Sequence, residues 1–258
     1  MQSLFAALVP PHLPALPDLP LAPKYLLWLW QGFGVTVGVT LCAAFASTVW
    51  GVLIALARQS RLAVFRRAGN GYVTAFRNSP LLVQLLFWYF GAATLLPDAW
   101  MQWLNTPHVL STPLGALRWP SFEFVAAWLG LTCYTAAFIA GEVEAGIAGV
   151  ALAQRHAAAA LGLTPWQSFR YVVLPQAIRI ALPPLFGQYM NLVKNSSLAM
   201  AIGLAELSYA SRQVETETFQ TFAAFGIATL LYVGAIALLE AVLHWRQYAR
   251  TAARGARR

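Results

Sequence analysis

Charge is what this sequence has least of. Only 10% of its 258 residues are Asp, Glu, Lys or Arg, whereas a soluble domain carries about a quarter. A chain so short of charge, and 59% hydrophobic, makes the bilayer the first solvent to consider. Cysteine is nearly missing too. Cys42 and Cys133 both lie in apolar runs, which excludes a disulfide framework and any CxxC or Cys/His zinc pattern. The four histidines, His12, His108, His156 and His244, are scattered and form no HExxH helix, so no metal site is expected. Nowhere is there a G-x-x-x-x-G-K-S/T phosphate loop, so the chain lacks the usual means of holding ATP. Ser196 and Ser197 stand beside Lys194, but neighbours on one helix do not face each other, which argues against a serine–lysine nucleophile.

What is present is a set of long apolar runs. A membrane-crossing helix needs roughly 20 mainly apolar residues, and five stretches qualify: 26–57, 79–96, 120–140, 180–204 and 219–243. Glu123 lies near the start of the third. Pro183, Pro184 and Lys194 interrupt the fourth, and Glu240 sits near the end of the fifth. The run 81–90, with Phe87, Trp88, Tyr89 and Phe90 together, reads as packing or lipid contact. The expected class is therefore an all-α integral membrane protein of about five spans.

Basic residues outnumber acidic ones, 17 to 9, for a net charge of +8. They do not gather into the wet basic patch a nucleic-acid-binding domain needs. They fall in the gaps between apolar runs. Arg58, Arg61, Arg66, Arg67 and Arg77 fill the first gap, Arg155, Arg170 and Arg179 the third, and Arg246, Arg250, Arg254, Arg257 and Arg258 the tail. Only Lys24, Arg118 and Arg212 fall on the other side, and Lys194 is within a span. The positive-inside rule then places the N-terminus outside and the C-terminus inside. Trp28, Trp30, Trp100, Trp103 and Trp119 cluster at the outward ends, where amphipathic rings favour the headgroup layer.

Three regions follow: a lead-in over 1–24, a membrane domain over 25–247 and a basic tail over 248–258. The lead-in has no basic start and no clear cleavage site, so it does not read as a signal peptide. Its Pro11, Pro14, Pro17, Pro20 and Pro23 recur every third residue, the spacing of a polyproline II face. An extended lead-in is the expected use of this segment.

The third gap, 142–179, is too long for a turn and too polar to span. Helix formers over 147–163, with Gly162 at the stop position, predict one helix. Thr164-Pro165-Trp166-Gln167 supplies an N-cap, a proline at the first helical position and a capping-box glutamine. A second short helix is expected from there towards Leu174-Pro175, completing a hairpin on the inner face.

Permeases of ATP-binding-cassette importers carry the cytoplasmic pattern E-A-A, three residues, G, nine residues, I-x-L-P. This chain has His156-Ala157-Ala158, Gly162 and Val172-Val173-Leu174-Pro175 in the same register. The stretches 161–171 and 182–184 resemble the polar-amino-acid permeases, as do 76–84 and 191–197. The resemblance covers about 26–247, and it is closest to the glutamate/aspartate branch. His156 replaces the usual glutamate, and Val172 the isoleucine.

What the resemblance implies is a type I importer permease in a bacterial inner membrane. It would be surrounded by lipid and would work with a second permease copy, identical or related. An ATPase dimer carrying the ATP and magnesium and an external amino-acid-binding protein would complete the assembly. No cofactor and no nucleic acid are expected on this chain. By the same resemblance His156, Ala157, Ala158, Gly162, Leu174 and Pro175 form the segment that fits a cleft in the ATPase. Glutamate and aspartate are the favoured cargo, with basic amino acids, glutamine or opines as the runner-up. A channel or carrier without an ATPase, or a scaffold, is the reading from outside this class.

Polar residues at membrane depth mark the candidate path. Gln188, Asn191 and Asn195 share a helical face with Lys194 at its edge. Lys194 either attracts a substrate carboxylate or pairs with Glu123 or a neighbouring backbone. Pro183-Pro184 is expected to break the fourth span near its inner end. Arg77 and Asn78, at the inner end of the second, guide an anion or, for Arg77, serve as one more orientation charge.

Overall fold

The computed structural model describes residues 21–106, 109–112, 115–118 and 121–255. The proline strip at 11–20, His12, His108, Trp119, Pro120, Arg257 and Arg258 lie outside the described residues.

Helix α1 (Pro23–Arg58) starts with proline in its first turn and ends where the first arginine of the gap appears. Proline is tolerated at that end because its missing N–H has no partner there anyway. The first gap then folds as α2 (Ala63–Asn78), which buries only Gly69 and Val73. Arg66, Arg67, Asn70 and Arg77 interrupt its apolar residues, which is why no apolar run announced it. The second stretch is not one regular helix. It opens as α3 (Leu81–Leu86), widens into a π-turn over Phe87–Gly91 and tightens to a 3-10 turn over Ala92–Leu95. In the wide turn Trp88 and Tyr89 pack on the core, while Phe87 and Phe90 face outward.

Beyond it lie α4 (Asp98–Asn105) and a hairpin of β1 (Val109–Thr112) and β2 (Gly115–Arg118), paired Val109 to Arg118 and Thr112 to Gly115. These are the strands among the described residues; the other regular elements there are helical.

Helix α5 (Phe122–Ala148) is capped by Ser121, whose side chain accepts from the Phe124 N–H. It runs on through Glu142, past the expected end of the span at 140. A buried Val150 then turns the chain into α6 (Leu152–Ala160), shorter than the 147–163 expected. From α7 (Pro165–Gln167) the chain passes through a π-turn (Ser168–Val173) directly into α8 (Leu174–Asn195).

Pro183-Pro184 does not break α8. Each proline removes one backbone donor, but packing holds the helix on both sides. Ala177 and Ala181 are buried against Gly146 of α5, and Leu192 and Val193 are buried on the far side. Tertiary contacts of this kind set helix stability more than local propensity does. The interruption comes later, in the 3-10 turn Ser196–Ile202 and at Gly203, whose φ is +83°. There the Gly203 N–H reaches the Met200 carbonyl and the Leu204 N–H that of Ala199, the paired bonds of a Schellman stop. The chain resumes as α9 (Leu207–Thr218) and, after Phe219, as α10 (Thr221–Gly255).

Among the described residues, three helical stretches are long and apolar enough to cross a membrane: Pro23–Arg58, Phe122–Ala148 and Thr221–Trp245. The first is the spine. Leu29 joins Leu207, Val214 and Ala224 in one buried cluster. Val39 and Ala43 join Leu85, Leu131 and Leu192 in a second, and Ile54 and Ala55 join Val73 and Ala140 in a third.

Candidate functional site

The polar stripe foreseen on the fourth span comes together. Gln188, Asn191 and Asn195 of α8 face Tyr134, Thr135 and Phe138 of α5 across a recess of about 260 Å³. Thr135 lies near the middle of the 27-residue α5, so the recess sits halfway along α5 and against the C-terminal part of α8. Gln188 Nε2 donates to Glu142 Oε1 at 3.0 Å, which brings in a carboxylate that the sequence reading had assigned to the inner segment. Tyr189 is fixed on the neighbouring face. Thr48 gives its own proton to the Ala44 carbonyl at 2.6 Å, so the Tyr189 hydroxyl donates to Thr48 at 2.7 Å.

Lys194 is exposed beside this recess and makes no ion pair among the described residues. The alternative of a pair with Glu123 is not realised. Glu123 lies in the first turn of α5, with its side chain close to Gly203 and the Tyr89 hydroxyl within its reach. The start of α5 meets the end of the 3-10 turn, so Glu123 and Lys194 belong to different levels.

Arg77 is docked rather than free. Its Nε donates to the Ala137 carbonyl and its Nη2 to that of Phe138, both at 3.2 Å, and the guanidinium lies 4.9 Å from the Phe138 ring centre. Phe138 is also a wall of the recess, so the cation stands directly behind it. Asn78, one residue on, is exposed at the end of α2. The seat for Arg77 depends on Gly141, because a Cβ there would collide with Nη2. Gly141→Ala is expected to lift the guanidinium off α5 and cost about 1 kcal/mol, the worth of a typical hydrogen bond. Thermal unfolding of G141A, R77A and the double variant checks this: the double should be no less stable than R77A alone.

The hairpin residues divide by side. His156 and Ala157 are exposed, Ala158 is buried, and Leu174 and Pro175 are half-buried. Gly162 has a φ of +77°, in the region glycine enters without penalty. Its N–H bonds to the Ala159 carbonyl and the Leu163 N–H to that of Ala158, a second Schellman stop. The capping box follows at once: the Gln167 N–H donates to Thr164 Oγ1, and Gln167 Oε1 accepts from the Thr164 N–H at 2.9 Å. Two stop-and-start signals back to back fix the angle between α6 and the helix after it.

Sequence reasoning missed one site altogether. Glu206 is fully buried at the break before α9. It accepts from the Tyr209 N–H at 2.9 Å, from the Tyr232 hydroxyl of α10 at 2.6 Å and from Thr36 Oγ1 of α1 at 3.4 Å. Thr36 in turn accepts from the Leu207 N–H at 3.1 Å. A carboxylate at a helix N-terminus also meets the positive end of the dipole. The one available signal was its isolation, for no other charge lies between Lys194 and Arg212.

Residues 47–248 match the family model described as a binding-protein-dependent transport system inner membrane component. The chain belongs to this family. The permease is 34% identical over 210 residues to the glutamate/aspartate import permease protein GltJ of Escherichia coli (strain K12), covering 81% of each chain. It is 30% identical over 181 residues to GltK, the glutamate/aspartate import permease protein of E. coli O6:H1, covering 70% of this chain and 75% of that one. A solved amino-acid ABC transporter with histidines superposes with a TM-score of 0.73 at 27% identity, covering 88% of the permease and 95% of that chain. The permease is thus an inner-membrane transport subunit of the amino-acid ABC class with the type I fold. It is not an enzyme, and in this family a separate ATPase hydrolyses ATP.

Proposed function

We propose that the permease lines one half of an import path for polar amino acids, with glutamate and aspartate as the favoured cargo. The observation that carries this reading is the recess of Gln188, Asn191 and Asn195 halfway along α5, against the C-terminal part of α8. Irregular or polar surface at that depth is tolerated only where it lines a cavity or meets a partner. Arg77 behind Phe138 and the exposed Lys194 give its surroundings positive charge, which suits a substrate with a surplus carboxylate. GltJ and GltK are both glutamate/aspartate permeases by name, and the likeness to two such chains supports a second permease subunit across the path.

In this reading the chain crosses the membrane five times, with its N-terminus outside, as the distribution of arginines favours. The fourth crossing, over 180–204, is made by α8 and the 3-10 turn after it. The ATPase, with its ATP and magnesium, docks on the face of His156, Ala157 and Gly162, and an external binding protein delivers the amino acid. Basic amino acids are the second reading. Glu142 at the rim of the recess favours them, and so does the solved relative with histidines.

An uptake competition panel in vesicles holding the whole complex decides between the two. Acidic amino acids should displace labelled glutamate while arginine and histidine do not; the reverse would establish the second reading. Asn191→Leu removes a hydrogen-bonding amide from the recess wall, and bonds to a charged ligand are worth about 1.5–3 kcal/mol. The KM for uptake should rise about tenfold or more, with the ATPase still bound. An unchanged KM would place the path elsewhere.

A further inference from the structure

The hairpin meets the spans around a single cavity of about 370 Å³, lined among others by Arg58, Asn70, Glu144, Ile147 and Arg155. Arg155 is the one residue of α6 that reaches back into it. Its Nη2 donates to the Ile147 carbonyl, in the last turn of α5, at 3.0 Å. His156, the next residue, faces the other way and is exposed.

On the far wall Glu144 Oε2 accepts from Arg58 Nη1 at 2.8 Å, and Arg58 Nε donates to Asn70 Oδ1 at 2.8 Å. These contacts bind the end of α5 to the end of α1 and to α2. Two atoms in the same lining are left over. Arg155 Nε, a donor, and Glu144 Oε1, an acceptor, are both buried without a hydrogen-bond partner among the described residues. A buried donor and a buried acceptor of opposite charge on one cavity are strongly driven to meet. A movement of α6 towards α5 would bring them together.

We propose that Arg155 is the positioning residue that carries movement of the hairpin into the spans. With the hairpin as it stands, Arg155 holds the end of α5 through the Ile147 carbonyl. When the hairpin is pressed by its partner, Arg155 Nε turns onto Glu144 Oε1. α6 is then joined through Glu144 and Arg58 to α1 and α2, and the three ends move as one body. The inference rests on the reading that an ATPase drives the hairpin. It goes beyond that reading in naming the link on the permease side.

The test uses the full complex in proteoliposomes, with ATP hydrolysis and substrate uptake measured on the same sample. Arg155→Ala should keep ATP hydrolysis within twofold while uptake per ATP falls about tenfold, the scale of energetic coupling through such networks. Arg155→Lys, which keeps the charge but not the forked geometry, should restore part of the ratio. Glu144→Gln should cost less coupling in the Arg155→Ala background than in wild type, because only its pair with Arg58 is then left to lose. If Arg155→Ala does not assemble, Arg155→Lys decides: a ratio at least threefold below wild type supports the link, and a wild-type ratio overturns it. A wild-type complex without ATP-driven uptake would instead overturn the reading on which the inference rests. Wild-type coupling in Arg155→Ala would overturn the inference alone.

Discussion

Gly162→Val is expected to abolish coupled uptake while ATP hydrolysis continues. Nothing lies within 4 Å of the place a Cβ would occupy, so bulk is not the obstacle. The obstacle is the φ of +77°, where a β-branched residue is strained by about 2 kcal/mol. Relief requires the residue to leave the left-handed region. That breaks the two Schellman bonds and swings α6 away from the capping box at Thr164. Asparagine tolerates this conformation better than other residues, so Gly162→Asn should transport nearly as well as wild type and alanine should fall between. Uptake and hydrolysis measured together on the three variants check the order. A valine variant that couples normally would show that the angle of the hairpin is immaterial.

Glu206→Leu should be the most destabilising single change in the membrane domain. It leaves the Tyr209 N–H without its acceptor and the Tyr232 hydroxyl with only Ser208 Oγ, 3.1 Å away. At about 1–3 kcal/mol for the orphaned donor and about 1 kcal/mol for the weakened hydroxyl bond, the loss is about 3 kcal/mol. Glu206→Gln keeps one carbonyl oxygen and should cost well under half of that. Tyr232→Phe, which removes one donor rather than the shared acceptor, should cost about 1 kcal/mol. Thermal unfolding of the purified chain in detergent should show the leucine variant about 10 °C below wild type, with the other two in between. Equal midpoints for leucine and glutamine would mean that the network is not what holds α1, α9 and α10 together.

These two sites also mark what was legible in the sequence. Gly162 and the Thr164–Gln167 box could be read because a helix stop and a capping box are made within a few residues. The stripe of Gln188, Asn191 and Asn195 was legible for the same reason, since three- and four-residue spacings put side chains on one face wherever the helix goes. Glu206 was not, because its partners come from two other helices and nothing local distinguishes a buried carboxylate from an exposed one. Pro183-Pro184 misled for the complementary reason. The local rule is sound, but the contacts that outweigh it belong to Gly146 and its neighbours on α5. Arg77 combined both situations: its charge was visible in the sequence, its seat on the α5 carbonyls was not. The family resemblance supplied the role of the hairpin, while the inward reach of Arg155 had to be seen in three dimensions.

The spine helix α1 has a consequence for how the protein is made. It leaves the ribosome well before α9 and α10, yet Thr36 meets Glu206 only across a sequence separation of 170 residues. Its other hydroxyls need not wait: Thr40, Ser47 and Thr48 donate to carbonyls three or four residues back in their own helix. Thr36 can do the same for a time, bonding to a carbonyl of the preceding turn as threonine does in isolated spans. α1 can therefore enter the bilayer early as a self-satisfied helix and give up that local bond late, when α9 and α10 arrive. Assembly of the permease then ends with an exchange of acceptor at Thr36, from a carbonyl of its own helix to the Glu206 carboxylate.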